Sequence, residues 1–388
     1  MKALYIQALK GDILLKMIIR STVFLLTFVL LTSCVSTEQQ THAEAETSRT
    51  FVLSSLASTQ NGAWEGFFVP WMNEVEERSN GRITFEIYTG QELIAGSEEL
   101  LALRNGTIDI AAPLWPQYDP ARFPLTEVTM LPLLDSDTVI AARAYADLIH
   151  STEPVTHDGE TFTELEYGTK DLKVMPHAPT QQYVMSTKDH PLESIDDFRD
   201  TSLRSPTRIH EIFASKIGIN SVSMPSTDMF DAINRGAFEG AFFSVADWTG
   251  YGMQEVFTYT LEGINLGHFS TLWAMTEENW NTIPEDLQQI MEESATDLID
   301  HGGEVWEARS EVIREEALAN GAEFVHVDDI DDDAKEYIVD GMIETWYTWI
   351  EEHEQNGLPA REVAILWRDL IIKHGGDVPD EIKELSVD

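Results

Sequence analysis

Cysteine is nearly absent: Cys34 is the only one in 388 residues, so no intramolecular disulfide can brace the fold. Cations are scarce too. Lysine and arginine number 25 against 68 aspartates and glutamates, a formal net charge of −43 that makes nucleic acid and anionic membrane surfaces poor partners. The acids are spread through stretches such as EVEER, EEHEQ and VDDIDDDAKE rather than gathered in one tail, and read as solvated helix faces suited to a saline habitat. Long apolar runs are equally rare. The uncharged stretch Ser21–Ser33 is too short to cross a bilayer comfortably.

Strict catalytic spacings are missing as well: there is no nucleophile elbow, P-loop or zinc-protease helix. His210-Glu211 begins like a zincin motif but Ala214 stands where the second histidine belongs, and the GYG at 250–252 lacks the third glycine of a dinucleotide fingerprint. Asp329, Asp331 and Asp333 alternate as in a calcium loop. Ala334 follows, without the glycine and terminal glutamate of an EF-hand, so helix capping by Asp331 or Asp332 is the better reading. The eleven histidines have no ligand spacing, and neither a metal nor a cofactor is expected.

What is present begins with a leader. Lys2, Lys10, Lys16 and Arg20 against Asp12 precede the apolar run, which makes residues 1–33 a signal peptide, with Met17 as a second possible start. The run ends in Leu31-Thr32-Ser33-Cys34, a tetrapeptide that resembles the lipobox of bacterial lipoproteins, so Cys34 is expected to carry a lipid anchor; the plain alternative is an incidental thiol. Residues 34–49 read as a flexible tether.

The remaining length and a 43% hydrophobic content fit a globular chain of two lobes. Residues 50–56 read as a buried strand. A helix over 63–78 follows, with Trp64, Phe67, Phe68, Trp71 and Val75 at helical spacing, and RITFEIYT alternates as a second strand, the opening of a parallel α/β sheet. Further strands are expected at IDIAAP, LKVMPHA, QYVMS, TSLRSP, INSVSMP, FEGAFFS and EFVHV. Helices are expected over 138–150, HEIFASKIG, 226–236 with Ser226 as cap, and in long stretches from Pro284 onward. No long linker separates the lobes, so strands should cross between them.

Ligands of open α/β lobes lie outside the carboxyl ends of strands. The loops there are ASTQNGAW, LWPQYDPARFP, RSP at 204–206 and FFSVADW at 242–248, rich in aromatic residues and poor in charge. Among them Arg204 is the one cation placed at a strand end. Its plain alternative is a surface arginine paired with Asp200 or Glu211.

PLESIDDFRDTSLRSP and VSMPSTDMFDAINRGAFEGAFF, with GRITFEIYTGQELIAGSEELLALRNGTIDIA upstream and NWNTIPEDLQQIMEESA downstream, resemble the periplasmic solute-binding proteins of TRAP transporters, the C4-dicarboxylate type, in order over residues 50–320. The resemblance implies a two-lobed α/β periplasmic binding protein, type II-like, with a hinge, crossing strands and long C-terminal helices. It implies lobe I from 50–178 plus about 268–308, and lobe II from 179–267 plus about 309–388. It also implies no enzymatic activity: a receptor, expected to be monomeric, that captures a small organic acid and delivers it to TRAP membrane subunits from the periplasmic side of the membrane.

In that family an arginine at the position of Arg204 pairs with the substrate carboxylate, and a guanidinium does read a carboxylate through two parallel hydrogen bonds. Many members carry a second arginine where this chain has Gln181-Gln182-Tyr183, and a polar ligand contact where it has Phe243. The departures point to a monocarboxylate with an apolar or aromatic body, held by Arg204, Gln182 and Tyr183 between walls of Trp115, Tyr118, Phe243 and Trp248, each of which could equally be plain core. A secreted hydrolase or lyase acting on a small carboxylate is the alternative, and a structural lipoprotein a third.

Overall fold

A computed structural model describes residues 48–387 apart from 57 and 95–97. The expected signal peptide, tether and Cys34 anchor lie outside the described residues.

Two sheets organise the chain. The first has the order β2-β1-β3-β10-β4, from β1 (Arg49–Ser54), β2 (Ile83–Tyr88), β3 (Ile110–Leu114), β4 (Leu172–Pro176) and β10 (Leu272–Thr276). The second has the order β11-β9-β5-β8-β6-β7, from β5 (Val184–Thr187), β6 (Ser202–Ser205), β7 (Asn220–Ser223), β8 (Gly240–Phe243), β9 (Tyr259–Glu262) and β11 (Glu323–His326). The parallel opening holds for β1 with β2 and β3, but each sheet is mixed. β10 runs antiparallel to both β3 and β4, and β5 antiparallel to both β8 and β9. β10 enters the first sheet only after the chain has built most of the second, and β5 opens the second straight after β4. The crossings 177–183 and 263–271 therefore lie side by side. Thr180 donates to the carbonyl of Phe269 at 3.0 Å, and Tyr183 exchanges backbone bonds with Gly267 and Leu266 at 2.9 and 3.0 Å.

Helices cover the sheets: α1 (Val69–Arg78), α2 (Thr138–Ile149), α3 (Arg208–Ile217), α4 (Ser226–Asn234), α5 (Glu285–Asp297), α6 (Ile299–Ala319), α7 (Asp332–Gln355) and α8 (Ala360–Lys373). A π-helical turn, Trp64–Phe68, precedes α1, whose second residue is Pro70. Proline has no backbone N–H to donate, so the regular ladder cannot run through this point. The turn buries Trp64, Phe67 and Phe68, with Phe67 stacked on His177 at 5.0 Å.

α6 lies against this turn and against α2 through Gly302 and Gly303. A Cβ at Gly302 would meet that of Ala178 at 2.9 Å, and one at Gly303 the backbone of Val139 at 2.9 Å. Two adjacent helical glycines cost about 1 kcal/mol each in propensity, and the close approach explains their place. α7 packs on α3 and α8 on α2, so the C-terminal helices touch both groups of elements. Asp331 stands at the N-cap of α7 but its side chain makes no capping bond. Among the described residues no helix is long and apolar enough to cross a membrane, and no cluster of three or more His, Cys, Asp or Glu is placed to hold a metal.

An aromatic cavity beside a buried arginine

The crossings bring residues from both sheets around one small, partly enclosed cavity of about 20 Å3, a slot between the lining rings. Trp115 and Tyr118, in the loop after β3, stack with centroids 5.5 Å apart and planes 3° apart, and Phe269 of the return crossing tilts against both. Tyr183 stacks on Phe269 at 6.1 Å and meets Phe243, at the end of β8, edge-on at 5.8 Å. Phe243 in turn meets Tyr251 edge-on. Asn61, His177, Thr271, Asp247, Ser226 and Trp306 complete most of the lining. Trp115, Tyr118, Ser226 and Tyr251 also line a wider open cleft, so they form the partition between the two spaces.

Arg204 sits in β6, directly behind this wall. It is fully buried (0% exposed) and pairs with neither Asp200 nor Glu211. Its Nε donates to the Met224 carbonyl at 2.9 Å, Nη1 to the Phe242 carbonyl at 3.5 Å, and Nη2 to Ser226 Oγ at 3.0 Å. A guanidinium has five N–H donors, so these bonds leave two without a protein acceptor among the described residues. The guanidinium carbon lies 5.8 Å from the Phe243 ring centroid. Arg204 does not itself line the slot; Ser226 and Phe243 stand between.

Ser226 is expected as a helix cap and the structure corrects this. It is the first residue of α4, Pro225 holds the cap position, and no side-chain capping bond forms. Its hydroxyl is engaged instead by Arg204 and lies 3.3 Å from the Tyr118 hydroxyl, a contact joining the loop after β3 to the start of α4.

Electrostatics set the polar groups apart. Burial lowers the His177 imidazole to about 4, so it is neutral. With Nδ1 donating to the Ala178 carbonyl at 2.9 Å, its Nε2 accepts from Thr271 Oγ1 at 3.0 Å. Burial and the charge of Arg204 lower His210 to about 3. Burial raises the Asp247 carboxyl to about 7 although Arg309 and Arg204 pull it down, and Asn61 Nδ2 reaches it at 3.4 Å.

Of the residues singled out from sequence, Trp115, Tyr118, Tyr183 and Phe243 meet at the slot and Arg204 backs it. Two stand elsewhere. Trp248 is fully buried against Phe257 and Phe324, on the far side of its turn, and Gln182 lines a separate recess with Leu133, Asn265 and Met342. Both corrections have a local cause. Trp248 opens a short helix that points its ring towards Phe257 and Phe324 beside the second sheet, and alternation along the crossing turns Gln182 away from the face that Tyr183 presents. Sequence reading missed Asp247, Tyr251, Phe269, His177, Asn61 and Trp306. The ASTQNGAW and FFSVADW loops did mark the neighbourhoods of Asn61 and Asp247, whereas the GYG that holds Tyr251 is set aside in the sequence.

Two mixed sheets exchanging strands through paired crossings, with a cavity lined from both, make the two-lobed fold of a periplasmic binding protein. The family model for bacterial extracellular solute-binding proteins, family 7, matches residues 54–347, and the chain belongs to that family. Its members are TRAP-type solute-binding proteins rather than enzymes, which removes the hydrolase alternative.

A solute-binding protein of Albidiferax ferrireducens is 26% identical over 207 residues, 53% of this chain; the match spans only 56% of that relative's length. The C4-dicarboxylate-binding periplasmic protein DctP of Rhodobacter capsulatus is 21% identical over 61% of this chain and 68% of its own length. Among solved structures, a TRAP solute-binding protein of Rhodoferax ferrireducens in complex with copurified benzoate superposes with a TM-score of 0.72 at 23% identity, covering 84% of this chain and 98% of its own. A marine metagenome TRAP protein specific for aromatic acid ligands, with co-crystallised 3-hydroxybenzoate, gives 0.73 at 19% identity over 85% and 99%. At these identities the structures show the shared fold.

Proposed function

We propose that this protein captures a monocarboxylate with an aromatic body in the slot, closes on it, and delivers it to TRAP membrane subunits, acting as a periplasmic monomer tethered through a lipid on Cys34. The observation that carries the reading is Arg204, a buried cation with no ionic partner among the described residues and two donors to spare. Such a charge is costly to keep unless an anion joins it. A carboxylate entering beside Ser226 would supply that anion, displacing the hydroxyl from Nη2.

Arg204 cannot supply the affinity alone. Micromolar binding is about −8 kcal/mol, and each hydrogen bond to a charged group contributes about 1.5 to 3 kcal/mol. Ring burial between Trp115, Tyr118, Tyr183 and Phe243 supplies the rest. The name of the Rhodobacter relative invokes a C4-dicarboxylate, but here Gln181-Gln182-Tyr183 provides no second cation. The relatives solved with benzoate and 3-hydroxybenzoate support the aromatic reading.

Closure is a population shift driven by contacts that both lobes make with the ligand. In this reading the lobes are 50–178 with about 268–308 and 179–267 with about 309–388, and α8 reaches across to α2. The Tyr118–Ser226 contact closes the mouth between them. Titration of intrinsic tryptophan fluorescence with mono- and dicarboxylates tests the proposal: saturable quenching by aromatic monocarboxylates supports it, and a response confined to dicarboxylates, or none to any acid, overturns it.

A further inference from the structure

Asp247 is the one acid lining the slot, 4% exposed, and no cation pairs with it. Its single hydrogen bond is the long one from Asn61. Of the other polar liners, Thr271 bonds His177, Ser226 bonds Arg204 and Asn61 accepts from the Ala63 amide at 3.0 Å, while the Trp115 indole N–H is a buried donor without an acceptor among the described residues. Of the two arginines near enough to act on Asp247, Arg309 bonds Glu65 and the Gln60 carbonyl through Nη1 and Nη2 and leaves its buried Nε without a partner, and Arg204 is engaged as described. A buried carboxyl group short of partners costs far more than one that accepts good hydrogen bonds. It is raised to about 7 by that burial. Besides the Trp115 N–H, the slot therefore has unfinished charged groups at its two ends: donors at Arg204 behind Ser226 and Phe243, and an acceptor at Asp247 beyond β8, with aromatic faces between.

We propose that the acid held here carries a hydroxyl group, placed away from its carboxylate, which donates a hydrogen bond to Asp247. The inference rests on the reading of the slot as an aromatic-acid site and deepens it. A hydroxyl fits better than an ammonium. The positive field of Arg204 and Arg309 already reaches Asp247, so a ligand cation there would meet two like charges. A site built to bond a substrate hydroxyl also rejects the analogue lacking it, because its own polar group is then left unpaired.

The test is calorimetric titration of the wild type, Asp247→Ala and Asp247→Asn with benzoate, its three hydroxy isomers, phenylacetate, its three hydroxy isomers and 3-aminobenzoate. In the wild type one hydroxylated isomer should bind about tenfold or more tighter than its parent. In Asp247→Ala that preference should fall below about twofold. Asp247→Asn preserves volume and one acceptor, so it should show an intermediate preference and covers the case in which the alanine variant does not fold. Equal binding of parents and hydroxy acids in the wild type, or a preference that survives in Asp247→Ala, overturns the hydroxyl assignment and leaves the aromatic-acid reading standing. Tightest binding of 3-aminobenzoate overturns it in favour of a cation. Failure of every acid to bind overturns the aromatic-acid reading and this one with it.

Discussion

Replacing Arg204 by methionine removes the guanidinium while keeping an apolar stem of similar reach. Two costs follow, and they can be measured apart. In the fold, the Met224 and Phe242 carbonyls and the Ser226 hydroxyl lose their donor. A buried polar group without a partner costs about 1 to 3 kcal/mol, partly offset here because Ser226 keeps its contact with Tyr118 and a lone buried charge is gone. A lowering of the thermal midpoint by a few degrees is expected, with near-UV circular dichroism retained. In binding, two charge-assisted hydrogen bonds are lost, about 3 to 6 kcal/mol together, which is a factor of roughly one hundred to ten thousand in Kd. Arg204→Lys keeps the charge but not the fork and should fall between. Calorimetry with benzoate reads the binding loss and differential scanning the stability. A folded Arg204→Met variant whose affinity stays within about threefold of the wild type refutes the carboxylate assignment.

Three other perturbations have defined outcomes. The Asp247 carboxyl is raised to about 7 from an ordinary 3.8, so the folded state binds a proton more readily than the unfolded one; ionisation destabilises the fold progressively from about pH 4 to 7, by on the order of 4 kcal/mol at most. Asp247→Asn should therefore gain thermal stability relative to wild type at pH 8 and little at pH 4, and a constant difference across scans at the two pH values contradicts the sign. Trp248→Phe should cost about 1 to 3 kcal/mol through the void left against Phe257 and Phe324 yet leave acid affinity within about threefold; a tenfold loss would return Trp248 to the ligand wall. Tyr118→Phe keeps the stacked ring and should change affinity little by fluorescence titration, whereas Tyr118→Ala should weaken it about tenfold or more, and equal effects would transfer the role from the ring to the hydroxyl.

The periodic part of the fold is legible in the sequence because burial imposes it. The aromatic spacing through Trp64–Val75 and the strand carrying Arg204 appear where expected; RITFEIYT forms its strand, but Ile87 is left exposed and the alternation is not realised as burial. β9 and β10 escape because each takes its identity from partners far along the chain: β10 pairs with β3 and β4, whose sequences give no hint of an antiparallel insertion. Phe269 and His177 were illegible for the same reason, being brought to the slot by crossings rather than by strand ends. Ser226 satisfies the composition of a helix cap, but tertiary demand from Arg204 takes its hydroxyl, a local preference yielding to a buried charge. Asp247 lay in a loop marked as a site and passed unnoticed because its meaning comes from what fails to pair with it.

The most direct test of the central claim is to release and identify whatever the protein carries when it is purified without added substrate, by denaturation and mass spectrometry of the small-molecule fraction, with Arg204→Met purified in parallel. The account predicts an aromatic monocarboxylic acid from the wild type and none from the variant. A dicarboxylate, a sugar acid, or the same compound recovered equally from both proteins would contradict it.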